Sequence, residues 1–157
     1  MVKQPRRQDQ QRQLAPRSER VTVVHSRALL DKKEKLQKEV QALWASKKGK
    51  THQERQQIDA KIDGKVVAYN LNDLKRRRYY DLHGMTLEGA LVFVHSVMEA
   101  TKDREPVQFE TGKGNHSRNG VARIKPLLLE TFGRLEEFRI DVDGNEGIVN
   151  VRRCFSS

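Results

Sequence analysis

"RYYDLHGMTLEGALVFVHSVMEATKD", residues 78 to 103, changes its hydrophobic period partway along. The first seven residues read as a strand that Gly84 ends. Beyond them Leu87, Leu91, Val94 and Met98 recur at helical spacing, so 86 to 103 reads as a helix with Thr86 as its N-cap. A strand followed at once by an amphipathic helix opens a β-α-β unit. "PVQFETG" (106 to 112) supplies the next strand, and "SRNGVARIKPLLLETFG" (117 to 133) reads as a second helix with Pro126 as a kink or boundary. "LEEFRIDV" (135 to 142) and "IVNVRRC" (148 to 154) read as two further strands around the turn "DGNEG" (143 to 147). The order β-α-β-α-β-β predicts an α/β fold, a two-layer sandwich with a four-stranded mixed sheet. Its crossovers call for a largely parallel core to which the last hairpin adds an antiparallel strand.

Upstream the texture is different. From Ser26, a plausible N-cap, the residues Leu29, Leu36, Val40, Leu43 and Trp44 line one helix face. "SKKGKTH" (46 to 52) breaks the pattern at Gly49. A second helix starts near Thr51 and carries Ile58, Ile62, Val66 and Tyr69 on one stripe. The pair predicts an α-helical hairpin or one broken helix. Trp44 and Tyr69 read as packing residues rather than base-stacking platforms. The chain thus divides into a disordered basic tail (1 to 25), a helical basic extension (26 to 77) and a compact domain (78 to 157).

Charge follows the same division. Residues 1 to 77 carry a net charge of +11 and residues 78 to 157 a net of −1. A basic arm on a near-neutral domain points to a polyanionic partner, because each phosphate contact releases counterions. With 36% hydrophobic and 33% charged residues, the 157-residue chain is poor in core-forming side chains, which places loosely packed segments in the arm. No apolar window is long enough for a membrane span, and the first 20 residues lack the apolar segment of a secretory signal. Cys154 is the sole cysteine, which fits a reducing compartment, cytoplasmic or nuclear.

Two segments converge where the parallel strands should end, the edge at which such folds bind ligands. In "DLHG", Asp81 and His83 are two apart, so on a strand they project together. "TGKGNHSRNG" (111 to 120) is glycine-rich and feeds a helix N-terminus, a combination suited to an anion. It holds Gly112, Lys113, Gly114, His116 and Ser117 as candidate phosphate-binding residues, and Arg123, about one turn into the following helix, could point back at the same anion. Lys75, Arg76, Arg77 and Arg78 form a run of cations beside the Asp81/His83 pair and are further candidates for nucleic-acid contact. Singly, each signal also reads as ordinary turn chemistry. Together they place an acid, an imidazole, fixed cations and a phosphate cradle on one edge.

"DLHGMTLEGA", "TGKGNHSRNGVARIKP" and "GNEGIVNV" resemble, in order and spacing, the Smr (small MutS-related) domain over residues 78 to 154. That resemblance implies a two-layer α/β sandwich related to the C-terminal domain of bacterial translation initiation factor 3. It also implies endonuclease or nicking activity, which in eukaryotic members includes cleavage of mRNA on stalled ribosomes. Residues 26 to 77 look like the helical segment that precedes many eukaryotic Smr domains. Carried over by position, the functional pair is Asp81 and His83, the helix arginine is Arg123, and the loop residues are Gly112, Lys113, Gly114, His116 and Ser117. Gly89 and Gly120, near helix starts, are modest departures.

The expectation is an endonuclease that cleaves RNA, with His83 as general base or acid, Asp81 orienting it or taking part in proton transfer, and Arg123 and Lys113 stabilising the phosphoryl transition state. No cofactor is required. One Asp and one or two His could hold a divalent metal weakly, but no carboxylate cluster suits a two-metal site. Two alternatives stay open: a DNA-nicking endonuclease, and a module that only binds RNA, DNA or a ribosome. Neither a membrane partner nor a particular oligomeric state is indicated.

Overall fold

The computed structural model describes residues 26 to 112, 123 to 144 and 147 to 154. The tail 1 to 25 lies outside them. Two helices come first, α1 (Arg27–Ser46) and α2 (His52–Ala68). Both are capped as their sequences dictate. The Ser26 side chain accepts the Leu29 N–H, while Thr51 and Glu54 form a reciprocal capping box. Helix α2 runs directly into a π turn, Tyr69–Leu74, which Lys75 ends with a left-handed φ of 49°.

The remaining elements are β1 (Tyr79–Asp81), α3 (Leu87–Ala100), β2 (Val107–Glu110), α4 (Ile124–Gly133), β3 (Phe138–Val142) and β4 (Ile148–Arg153). Thr86 caps α3 as expected, accepting the Gly89 N–H. The fold is the predicted mixed α/β sandwich preceded by a helical hairpin. The sheet order is β1-β2-β4-β3.

One expectation needs correction. The core is not largely parallel: β1 and β2 pair parallel, but β4 inserts between β2 and β3 and is antiparallel to both. Side-chain character explains the insertion. Ile148, Val149 and Val151 of β4 are all buried, which demands neighbours on both sides. In β3 only Phe138 is buried, and charged Arg139 and Asp141 suit an open edge. Strands β1, β2 and β3 still run the same way, so α4, which connects β2 to β3, starts at the sheet end where β2 stops.

Helices α3 and α4 cover one sheet face. Tyr80 stacks on Phe109 and meets Phe93 edge-on, while Phe132 meets Phe138. The stripe of α3 is shifted from the one expected. Ala90, Phe93, Val94 and Met98 are buried, whereas Leu87, in the first turn, is exposed. The helical extension is no separate appendage. Val40, Ile62 and Val66 share one apolar cluster with Leu82, Met85 and Val94. A second cluster joins Tyr69 and Leu74 to Tyr79 and Ile148 on the other sheet face. No helix among the described residues is long and apolar enough to cross a membrane.

Strand β1 lies at a sheet edge, so the outward N–H and C=O of Asp81 need partners. Asn70 supplies both. Its side-chain oxygen accepts the Asp81 N–H at 2.7 Å and its amide donates to the Asp81 carbonyl at 2.8 Å. A single buried amide from the π turn therefore stands in for a fifth strand.

Candidate functional site

The strand that begins the "DLHG" motif is short. It stops at Asp81, so Leu82, His83 and Gly84 form a turn rather than continuing the pleat. Leu82 is fully buried. Gly84 has φ +85°, and a Cβ there would sit 2.9 Å from a Val40 methyl of α1. The glycine thus serves twice, as a left-handed turn residue and as a landing site for the helix. The Trp44 indole N–H donates to the Gly84 carbonyl at 2.8 Å, so α1 pins the turn by packing and by a hydrogen bond.

Asp81 is buried and its carboxylate faces two ways. Oδ1 accepts the main-chain N–H of His83 at 2.9 Å, while Oδ2 pairs with Lys33 Nζ of α1 at 3.0 Å. The Asp81 carboxylate therefore shapes the turn that carries His83, acting on its backbone. Around it lies a polar cluster on the sheet face beneath α1. Lys33 also lies 4.0 Å from Glu110, and the Tyr79 hydroxyl donates to Glu110. Burial opposes the Lys33 charge, yet Asp81 and Glu110 outweigh it and hold the amine above its ordinary value. Burial, then the Glu110 charge and hydrogen bond, push the Tyr79 phenol far above its ordinary value.

His83 itself is half-buried on the rim of the sheet. Its ring lies against Gly112, where an added Cβ would come within 2.6 Å of Nδ1. Gly112 also has φ +81°, so conformation and space both exclude a side chain there. Just before it, buried Thr111 donates through its N–H and its hydroxyl to the Gly147 carbonyl, at 2.7 and 3.1 Å. The "DLHG" turn, the head of the "TGKG" loop and the β3–β4 turn thus meet at one end of the sheet.

Lys113, Gly114, His116 and Ser117 lie outside the described residues. Arg123 is exposed and stands immediately before α4 as its N-cap, not one turn inside it. Pro126 accounts for the late start: a proline fits the first turn of a helix, where its missing N–H has no intrahelical partner to lose. Arg123 is the first described residue after Gly112 and stands at the start of α4. The cation run lies elsewhere. Lys75, Arg76, Arg77 and Arg78 precede β1 and sit at its opposite end. Lys75 closes the π turn, Arg76 and Arg77 are exposed, and Arg78 pairs with Asp103 and with Glu105.

Lys33, Asn70, Tyr79 and Glu110 were not legible as site residues. Lys33 sits in "DKKEK" among equivalent lysines, and only the docking of α1 singles it out. No family model, curated protein or solved structure matches the chain.

Proposed function

We propose that the chain is an Smr-type endonuclease that cleaves RNA, with His83 as its acid–base residue. The observation that carries this reading is the seating of His83 against Gly112, with the strap of Asp81 beneath it. An imidazole is held against Gly112, the first glycine of the "TGKG" segment, whose composition suits an anion. In the reaction, the 2′-oxygen of a ribose attacks the adjacent phosphorus and the bond to the 5′-oxygen breaks. His83 accepts the 2′-hydroxyl proton while water protonates the leaving oxygen, or delivers the proton to the leaving oxygen while water takes the one from the 2′-hydroxyl, and Arg123 balances the added charge on the phosphoryl oxygens. The products are a 2′,3′-cyclic phosphate and a 5′-hydroxyl. Asp81 acts as a positioning residue through the turn backbone. Engagement of mRNA on a ribosome is the physiological setting that the resemblance suggests.

One observation favours the second reading, a module that binds without cutting. The Asp81 carboxylate is tied to Lys33 and to main chain, as a purely architectural residue would be. The test incubates the purified chain with labelled RNA and with supercoiled plasmid, with and without EDTA, beside His83→Ala. Cleavage of RNA to cyclic-phosphate ends, lost in His83→Ala while binding persists, supports the proposal. Ends bearing 3′-hydroxyl and 5′-phosphate, or plasmid nicking with intact RNA, overturn the 2′-hydroxyl route.

A further inference from the structure

At the sheet end remote from His83, a pocket of about 340 Å³ is lined by Arg104, Arg139, Arg152, Arg153 and Cys154. Four of its five lining residues are arginines, Arg139 and Arg152 from one face of the β3–β4 pair and Arg153 from the other, and among the described residues no acid lines it. Three features make this more than a charged surface. First, Arg139 and Arg152 are direct cross-strand partners on β3 and β4, an arrangement in which like charges repel. An anion between them relieves that repulsion.

Second, Arg153 is held rigidly. It donates to the Thr101 carbonyl at 2.7 Å and the Met98 carbonyl at 2.9 Å, and its guanidinium lies 5.2 Å from the centre of the Phe138 ring. Both hydrogen-bond acceptors are neutral carbonyls, so its charge is not cancelled by them. Third, the acids that flank Arg104 in sequence are drawn off. Asp103 and Glu105 both pair with Arg78, so the loop contributes its cation to the pocket while its carboxylates are engaged elsewhere.

We infer that this pocket is a phosphate-binding site separate from the His83 end. Planar guanidinium forks match phosphate oxygens two at a time, which is why arginine rather than lysine suits such a site. The volume of about 340 Å³ admits a phosphate group together with part of the molecule that carries it. The sheet is about 17 Å long from Ile148 to Arg153, at ~3.4 Å per residue, so a phosphate bound here lies several nucleotides along a strand from His83. The ligand chemistry is a phosphate group, either on a polynucleotide or on a small free phosphate compound. The site stands whether or not His83 cleaves RNA.

The experiment measures binding of inorganic pyrophosphate by calorimetry, and of a labelled 12-nucleotide RNA across a salt series. It compares the wild type, R139Q/R152Q, Arg104→Gln and, as a control on α1, Lys35→Gln. Thermal melts check folding, and Arg139 and Arg152 are exposed enough for glutamine to be tolerated. The expected result is a loss of pyrophosphate affinity of tenfold or more in R139Q/R152Q and a smaller loss in Arg104→Gln, with Lys35→Gln unchanged. If the ligand is a polynucleotide, the salt slope for RNA also falls by about 1.4 in R139Q/R152Q, the loss of two single-strand phosphate contacts. An unchanged RNA slope with lost pyrophosphate binding assigns the site to a free phosphate compound. Unchanged pyrophosphate affinity in R139Q/R152Q, or an equal loss in Lys35→Gln, overturns the inference.

Discussion

Replacing Lys33 by Met separates an architectural role for the helical extension from a merely tethered one. In the wild type, Lys33 Nζ lies 3.0 Å from Asp81 Oδ2, with the Asp81 side chain 7% exposed and the Lys33 side chain 24% exposed. At that separation the attraction is about 5 kcal/mol for an effective dielectric constant of ~20. Desolvation of both ions offsets much of it, but removing one partner alone strands a largely buried carboxylate. Breaking such a buried pair costs about 3–5 kcal/mol. Partial exposure of Lys33 lowers this, so Lys33→Met is expected to cost about 2–3 kcal/mol. Urea denaturation reads this as a fall in midpoint of about 1.5 M for a slope near 1.5–2 kcal/mol/M. The double variant K33M/D81N should be more stable than K33M alone, because no charge is left unpaired. The pH dependence has a definite sign. Lys33 titrates higher in the fold than its ordinary 10.5, so its contribution is complete below pH 10.5 and is lost as pH rises through the folded value. The stability gap between wild type and Lys33→Met should therefore close under alkaline conditions. A cost below about 0.5 kcal/mol at neutral pH would refute the view that α1 holds the Asp81 carboxylate in place.

Other consequences are equally direct. Asn70→Ala leaves the outward N–H and C=O of Asp81 without their partner and should lower stability by about 2–3 kcal/mol, with faster amide exchange at Asp81 than in wild type. Gly112→Ala forces φ +81° on a residue with a Cβ and drives that atom into the His83 ring. It should cost at least about 1–2 kcal/mol and remove any RNA cleavage, and a stable, active Gly112→Ala protein would show that His83 is not seated as described. Trp44→Phe keeps an aromatic ring but loses the hydrogen bond to the Gly84 carbonyl, so a loss of about 1 kcal/mol is expected by thermal or urea unfolding. Asp63 accepts both the N–H and the hydroxyl of Thr86, and burial raises its pKa despite those bonds. Its raised folded value means stability is lost as pH rises from its ordinary 3.8 through that value, and Asp63→Asn should flatten this part of the pH–stability curve.

Much of the architecture could be read directly because it rests on local rules. The alternation in "YYD" and "VQFE", the helical spacing of Val94 and Met98 and the caps at Ser26, Thr51 and Thr86 are each fixed by neighbours within a few residues. The glycines of "DLHG" and "TGKG" were visible as turn residues, but the reason for each was not. A Val40 methyl bars a Cβ at Gly84, the His83 ring bars one at Gly112, and the Asp63 carboxylate bars one at Gly89, where the sequence showed only a departure from pattern. Similarly, the spacing of Asp81 and His83 suggested two side chains projecting together from a strand. The strand ends at Asp81, and its carboxylate reaches the His83 main chain instead.

By itself, then, the sequence determined which segments are strands and helices, where the first three helices start, and that His83 and Gly112 belong to one edge. Those properties depend on side-chain period and on backbone freedom, which are local. Tertiary structure alone decided that β4 lies inside the sheet, because strand order depends on which strand can be buried on both sides. It also decided that Lys33, forty-eight positions before Asp81, neutralises that carboxylate, and that Asn70 completes the edge of β1. The same holds for the four arginines gathered from one loop and two strands into one pocket. Charges and amides far apart in the chain carry no mutual signature in its order. Only the packing of helix on sheet brings them within reach.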